Sequence, residues 1–169
     1  VASAINSGVN SKEIDAIKKI LQEFIEWARQ NSPPKDNQNR DDKDRWEVAL
    51  LSPYQAQRRG LRDMVRSLTG MQYETRFDLM QMADPSNVML VVNSSDRFQG
   101  QEADVVFLSL RNGSRIGFLD SPSRMNVATT RARELRIIVG HHNYFSGERC
   151  YDPMLNNLAK SHKGNSIER

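Results

Sequence analysis

The spacing of apolar residues in the first half of the chain predicts a helix, a loop and then a strand–helix unit. Apolar residues recur at three- and four-residue steps over 11–29, as on one face of an amphipathic helix. The polar, proline-containing stretch at about 31–45 predicts a surface loop. An apolar run at 48–51 predicts a buried strand, and helical spacing returns over 55–68. The pattern over 70–86 fits either a short strand or loop packing.

The second half of the chain alternates further apolar runs with polar stretches. Runs rich in β-branched residues at 88–92 and 104–110 predict two strands. We expect a helix from about 122 to 133, followed by a strand over 135–140. A last helix is expected over 152–159.

These strands read as continuous apolar runs, which indicates the fold class. Strands buried on both faces, as in a parallel sheet covered by helices, have this pattern, whereas half-exposed strands alternate apolar and polar residues. The sequence therefore predicts a three-layer α/β domain. With 169 residues, the chain is expected to form one domain over 1–150, followed by a C-terminal helix and tail over 151–169.

Composition excludes several classes of protein. The lone cysteine, Cys150, rules out an internal disulfide and a cysteine-cluster zinc scaffold. No apolar run approaches the ~20 residues of a membrane span, so we expect no membrane partner and a location in the cytosol or nucleus. The formal net charge of +3 permits a nucleic-acid partner without requiring one.

Three polar stretches are candidates for chemistry: SPYQAQ, NSSDRFQGQE and TTRAR. Ligands of open α/β sheets bind beyond the carboxyl ends of the strands. SPYQAQ and NSSDRFQGQE each follow a predicted strand, and TTRAR follows the start of the predicted helix at 122–133. A loop rich in hydroxyl, amide and charged groups is also an ordinary turn, so position alone does not settle their role.

The stretch NSSDRFQGQE combines groups suited to phosphate and ribose. Ser94 and Ser95 offer hydroxyl and backbone N–H groups that could hold a phosphate. Gly100 permits a positive φ or close approach of the backbone. Gln99 and Glu102 flank it, and the Glu102 carboxylate could bind a ribose hydroxyl or orient an arginine. From spacing alone, a solvated charge in a turn is the better explanation of Glu102.

The stretch TTRAR places Arg131 and Arg133 on either side of one alanine. In a helix, residues two apart do not share a face, so we expect the two guanidinium groups to have different roles. One could bind a phosphate while the other pairs with an acid. Alternatively, both complement the dipole of a helix C-terminus.

The sequence lacks the motifs of a complete nucleotide site. It contains no GxxxxGK[ST] phosphate loop and no strand ending in a DE pair to hold Mg²⁺. Its three histidines show no catalytic-triad or metal-ligand spacing, and we expect no metal site. By itself, the chain is expected to hydrolyse essentially no nucleotide.

In their order along the chain, these stretches resemble the second RecA-like domain of superfamily 1 helicases, in the group that contains the nonsense-mediated-decay helicase and senataxin. SGVNSKE begins the resemblance; LLSPYQAQ is similar to motif IV, SSDRFQGQEADVVFLSL to motif V, and GFLDSPSRMNVATTRARELRIIVG to motif VI. The resemblance covers about residues 7–145. It implies a RecA-like fold with a mostly parallel sheet.

The resemblance also implies half of an ATP site. In such helicases ATP and Mg²⁺ lie between two RecA-like domains, and the first domain supplies the phosphate loop and the Mg²⁺ ligands. Arg131 is similar to the arginine finger that the second domain adds, which makes it the expected catalytic residue. Gln99, Gly100 and Glu102 match the nucleotide loop, and Arg133 either contacts the nucleotide or supports the cleft.

A second surface is implied for single-stranded RNA or DNA. Ser52 and Ser94 match positions that contact the strand backbone, Asp96 would organise the motif V loop, and Tyr54 would either stack on a base or pack beneath the loop. The chain has Arg97 where the family usually has a small residue, which adds a charge beside this loop. The partners expected are thus a single strand and a first RecA-like domain. The rival interpretation is a non-catalytic RecA-like binding module.

Overall fold

The computed structural model describes five segments of the chain, and their helices and strands alternate as the sequence predicts. The segments are 8–34, 45–72, 75–111, 130–147 and 153–161. They contain helix α1 (Ser11–Ala28), strand β1 (Trp46–Leu51), helix α2 (Gln55–Thr69), strand β2 (Arg76–Asp78), a 3-10 turn (Leu79–Gln81), strands β3 (Val88–Asn93), β4 (Ala103–Ser109) and β5 (Ala132–Val139), and helices α3 (His142–Phe145) and α4 (Pro153–Ser161).

The strands form one sheet that is mostly parallel. The order of the five strands is β2-β3-β1-β4-β5. Strand β1 lies between β3 and β4 and pairs in parallel with both, and β5 pairs in parallel with β4. The short β2 is antiparallel to β3. All four parallel strands therefore begin at one edge of the sheet, the amino edge, and end at the opposite one, the carboxyl edge.

Helices pack on both faces of the sheet, which gives the predicted α/β, RecA-like arrangement. Helices α1 and α2 cover one face through a cluster that includes Ile17, Leu21, Leu61, Val65 and side chains of all five strands. On the other face, Phe98, Phe145 and Leu155 pack on alternate residues of the strands. No helix of the described segments is long and apolar enough to span a bilayer.

Local signals explain where the first two helices begin and end. Asn10 caps α1: its Oδ1 accepts from the backbone N of Glu13 at 3.3 Å, and its Nδ2 donates to Glu13 Oε1 at 2.9 Å. Helix α2 ends at Gly70, whose φ of 72° is the left-handed conformation that glycine adopts without strain.

Residues 70–86, which the sequence pattern left undecided, contain both a strand and a turn. Strand β2 places Phe77 fully inside the core, and Leu79 is buried in the 3-10 turn that follows. The short strand pairs with β3 at the edge of the sheet. Both interpretations of this region were thus partly right.

The expected helix does not extend to Arg133. Residues 130 and 131 lie outside regular structure and β5 already begins at Ala132, so the prediction is wrong for these positions. The reason is tertiary: the Ala103 backbone N donates to Arg131 O at 3.0 Å, and Ala132 is paired with Ala103 before a β-bulge. The remainder of the expected helix, 122–129, and most of the polar loop, 35–44, lie outside the described residues.

Candidate functional site

The candidate residues divide between the two edges of the sheet. Ser52 follows β1 and Ser94 follows β3, so both lie at the carboxyl edge. Glu102 immediately precedes β4 and Arg131 immediately precedes β5, which places them at the amino edge. The expectation that NSSDRFQGQE lies beyond the carboxyl end of its strand is therefore wrong for Glu102, because the segment 94–102 crosses from one edge to the other.

Arg133 lies at the centre of a buried ion-pair cluster at the amino edge. Its Nη1 and Nη2 both donate to Glu47 Oε2, each at 2.7 Å, and Nη1 also donates to Asp104 Oδ1 at 2.9 Å. The exposed fractions of the side chains are 8% for Arg133, 12% for Glu47 and 0% for Asp104. The cluster thereby links the first residues of three neighbouring strands, β1, β4 and β5.

Backbone contacts and charge reinforce this cluster. The Glu47 backbone N donates to Asp104 Oδ2 at 2.9 Å, so Asp104 is bonded on both carboxylate oxygens. Burial of the Arg133 guanidinium lowers its pKa, but hydrogen bonds to Glu47 and Asp104 and their negative charges more than offset this, and the net pKa is raised above its ordinary value. Arg133 is therefore held as a permanent cation.

Glu102 adjoins the cluster but remains half-exposed. Its Oε2 lies 3.5 Å from Arg133 Nε, its backbone O accepts from Arg133 Nη2 at 3.4 Å, and its side chain is 48% exposed. Together with Gly100, Gln101 and Arg133 it lines a depression of about 490 Å³ at the amino edge. The carboxylate is accessible to a ligand in this depression.

Arg131 differs from Arg133 in its contacts. It is partly exposed, its backbone O is fixed by Ala103, and its Nη2 donates to the neighbouring Thr130 Oγ1 at 3.4 Å. The two arginines thus have different surroundings, as expected, although the helical argument for that difference does not apply to these non-helical residues. Arg133 is held inside the chain by acids, and a nucleotide contact for it stays a prediction.

Gln99 and Gly100 are exposed at the turn that leads to Glu102. The φ of Gly100 is +81°, and an added Cβ would meet no described atom within 4 Å. Conformation rather than crowding within the chain therefore explains the glycine. The backbone N of Gln99 donates to Asp96 O at 3.2 Å, which closes the turn.

At the carboxyl edge, the two candidate serines are buried and bonded within the chain. Ser52 is 0% exposed, and its Oγ accepts from the Tyr54 backbone N at 3.4 Å. Ser94 is 8% exposed, and its Oγ accepts from the Arg97 backbone N at 3.2 Å. Each hydroxyl stabilises the turn that follows its strand, and contacts with a nucleic-acid backbone stay a prediction for both.

Basic side chains surround these serines, and the sequence reasoning did not include them among the site residues. Nη1 of Arg58 donates to the carbonyl oxygens of Ser52 and Pro53, at 3.2 and 2.9 Å. Burial lowers the pKa of Arg58, and the nearby charges of Arg97 and Arg62 lower it further. Arg58, Arg62 and Arg97 thus repel one another, and this part of the surface is locally positive.

The other two candidates at this edge, Tyr54 and Asp96, have different surroundings. The Tyr54 ring is partly buried, and the Arg111 guanidinium carbon lies 5.3 Å from its centroid, within the range of a cation–π contact. Asp96 is exposed in the turn after β3. Its charge partly counters the repulsion at Arg58 by raising the pKa of that arginine.

A buried polar network beneath this edge was also missed. Ser109 Oγ donates to Glu13 Oε2 at 2.7 Å, and the Arg111 backbone N donates to the same oxygen at 2.9 Å. Gln57 Nε2 donates to Ser109 Oγ at 3.0 Å and to Asn10 O at 3.2 Å, while Gln57 Oε1 accepts from Asn10 N at 2.7 Å. A polar residue on the buried face of α2, inside SPYQAQ, was the available signal.

The described segments contain no group of three or more His, Cys, Asp or Glu side chains that could hold a metal ion. Glu47 and Asp104 are bonded to the Arg133 guanidinium, whose single positive charge offsets part of their negative charge.

Comparison with known proteins identifies the family to which the chain belongs. A family model described as an AAA domain matches residues 2–143. The chain is 30% identical to the putative helicase MOV-10 of Gallus gallus, over 78% of the chain and 13% of that protein. It is 30% identical to regulator of nonsense transcripts 1 of Dictyostelium discoideum, over 99% of the chain and 11% of that protein.

A third relative is the DNA polymerase alpha-associated DNA helicase A of Saccharomyces cerevisiae, 29% identical over 83% of the chain and 16% of that protein. The chain thus spans 11% to 16% of the length of these three relatives. The family match covers most of the chain, and the relatives agree with the motif resemblance. The chain therefore belongs to the AAA domain family and is a helicase domain of the second RecA-like type found in superfamily 1.

Proposed function

We propose that this domain forms one wall of an ATP site and part of a single-strand binding surface in an ATP-dependent RNA or DNA helicase. The observation that carries the proposal is that Glu102 and Arg131 lie at the starts of two adjacent strands, β4 and β5, and that Glu102 lines a depression of about 490 Å³. A first RecA-like domain would face this amino edge and complete the site.

The residues present fit a nucleotide held mainly by another domain. The half-exposed carboxylate of Glu102 can accept a hydrogen bond from a ribose hydroxyl, and Gln99 and Gly100 give the approaching ligand a turn with open space around it. Mg²⁺ would be held by the first domain and the ATP phosphates, where it neutralises charge on the phosphates.

Arg131 is the proposed catalytic residue. It is partly exposed, and its backbone O accepts from the Ala103 backbone N, which fixes the residue at the amino edge of the sheet. A permanently charged, planar guanidinium stabilises the charge that develops on the transferred phosphoryl group. Arg133 would act indirectly, by fixing the start of β5, the strand that Arg131 immediately precedes.

The carboxyl edge is the proposed surface for the single strand. The turns after β1 and β3 are closed by Ser52 and Ser94, and they present Tyr54, Asp96 and Arg97 beside the arginines described above. Backbone contacts from such groups supply affinity without reading sequence, as a translocating protein needs.

The test is an ATPase assay on a protein in which this domain follows a first RecA-like domain. We expect stimulation by single-stranded nucleic acid. Arg131→Ala should lower turnover by ~10³–10⁵-fold and leave ATP binding largely intact. Arg136→Ala, an exposed arginine in the same strand, is the matched control and should keep turnover. Wild-type turnover in Arg131→Ala would exclude the arginine-finger role.

A further inference from the structure

Three acids approach Arg133, and they do not share its guanidinium equally. Glu47 receives both terminal nitrogens at 2.7 Å and Asp104 receives one at 2.9 Å, whereas Glu102 Oε2 lies 3.5 Å from Nε. Nε has no hydrogen-bond partner among the described residues. Glu102 is therefore held by Arg133 at ion-pair distance, without a hydrogen bond to its side chain.

The unequal sharing has a chemical reason. A guanidinium offers five N–H donors in a fixed fork, and a carboxylate bonded to its terminal nitrogens occupies the most favourable positions. Glu47 holds these positions from the start of β1, and Asp104 holds the adjacent one from the start of β4. The exposed Glu102 carboxylate consequently keeps its oxygens available toward the depression.

Without the Glu47 charge, this balance changes. Arg133 would then have terminal donors to spare; Asp104 already accepts from Nη1 at 2.9 Å, and the next carboxylate is that of Glu102, 3.5 Å from Nε. A bidentate pair between Arg133 and Glu102 would draw the carboxylate inward, away from the depression. The start of β5, and with it Arg131, would shift as well.

We propose that Glu47 is a positioning residue for the nucleotide site, because it occupies the Arg133 guanidinium and so keeps the Glu102 carboxylate directed at the ligand. This inference rests on the proposed function of Glu102 and adds to the same site Glu47, which lies 55 positions earlier in the sequence. Glu47 also lines the depression, and the proposal assigns its effect to its bond with Arg133 and not to a contact with the nucleotide.

A purely structural ion pair makes a different prediction from a positioning pair. A structural role lowers the stability of the domain, and its effect on ATP binding adds to that of any change at Glu102. A positioning role acts through Glu102, so that the effect of changing Glu47 disappears once the Glu102 carboxylate is absent. A double-mutant cycle separates the two.

The experiment uses the two-domain protein with Glu47→Gln, Glu102→Gln and the double variant. The dissociation constant of a fluorescent ATP analogue and the KM and kcat of the ATPase are measured for each. Glu47→Gln should raise the dissociation constant and KM about tenfold with a smaller change in kcat, and the double variant should bind no more weakly than Glu102→Gln alone. Glu134→Gln, which changes an exposed acid of β5, should leave all three values unchanged.

Thermal unfolding of every variant shows that the comparison is between folded proteins. If Glu47→Gln does not fold, Glu47→Asp replaces it, since it retains the charge but withdraws it by one methylene; it should shift the dissociation constant in the same direction and by less. Additive effects of the two changes, or unchanged ATP binding in the Glu47 variant, would overturn the positioning role. Unchanged ATP binding in Glu102→Gln would instead overturn the proposed function of Glu102, and the inference with it.

Discussion

Gln57 Nε2 donates to Ser109 Oγ at 3.0 Å, and both side chains are fully buried. This bond joins the first turns of α2 to the last residue of β4. Through Asn10, the same glutamine reaches the N-terminus of α1. The second half of SPYQAQ thus connects the elements behind the carboxyl edge, while its first half lies at the surface proposed for a single strand.

Gln57→Met should destabilise the domain by about 1–3 kcal/mol, because the partly buried Asn10 N–H loses its acceptor and the buried Ser109 hydroxyl loses a donor. The volume of the side chain is nearly kept, so a cavity adds little to this cost. The free energy of unfolding in urea measures the effect. Gln55→Met, at an exposed position two residues earlier in α2, should change it by less than about 0.5 kcal/mol. Equal effects of the two substitutions would show that the network contributes nothing.

Gly100→Ala should cost about 1 kcal/mol of stability, since alanine is strained at a φ of +81°. Gly70 offers a matched control at a φ of +72°, and an added Cβ is equally uncrowded there. Both substitutions should lower the free energy of unfolding by similar amounts. In the two-domain protein, Gly100→Ala alone should also raise the KM for ATP, and an equal rise for Gly70→Ala would contradict a nucleotide role for this turn.

Arg97→Ala should weaken binding of single-stranded RNA or DNA. Each phosphate contact contributes a slope of about −0.7 in a plot of log affinity against log salt for single strands. Loss of Arg97 should reduce the slope by about that amount, without changing sequence preference. Lys19→Ala, in the middle of α1 and exposed, is the control for total charge. A salt slope that stays the same in Arg97→Ala would remove this residue from the binding surface.

Local patterns in the sequence predicted most of the fold. The apolar spacing over 11–29 indicated α1, and the continuous apolar run over 104–110 indicated β4, whose residues are all buried. Such patterns are informative because the spacing of apolar residues within a short stretch of sequence determines the buried face of a helix or strand. The order of motifs then indicated the family, which the comparisons confirm.

The surroundings of Arg133 could not be predicted in this way. Its partner Glu47 is 86 positions away, at the start of a strand that lies two places from β5 in the sheet. No local pattern joins the two residues, because their contact depends on strand order and register. The early start of β5 was missed for the same reason, since pairing with Ala103 extends the strand beyond its apolar residues.

The segment 94–102 crosses from one edge of the sheet to the other in only nine residues. It leaves β3 at the carboxyl edge and enters β4 at the amino edge, a distance of roughly 20 Å for strands of about six residues. About nine fully extended residues reach at most ~30 Å, which exceeds the distance to be crossed. The turn that Ser94 closes over Arg97 takes up part of this excess length. Phe98, the middle residue of the segment, is buried in the core. The turn proposed for the single strand and the turn proposed for the nucleotide are therefore the two ends of one nine-residue crossing that is anchored at its centre.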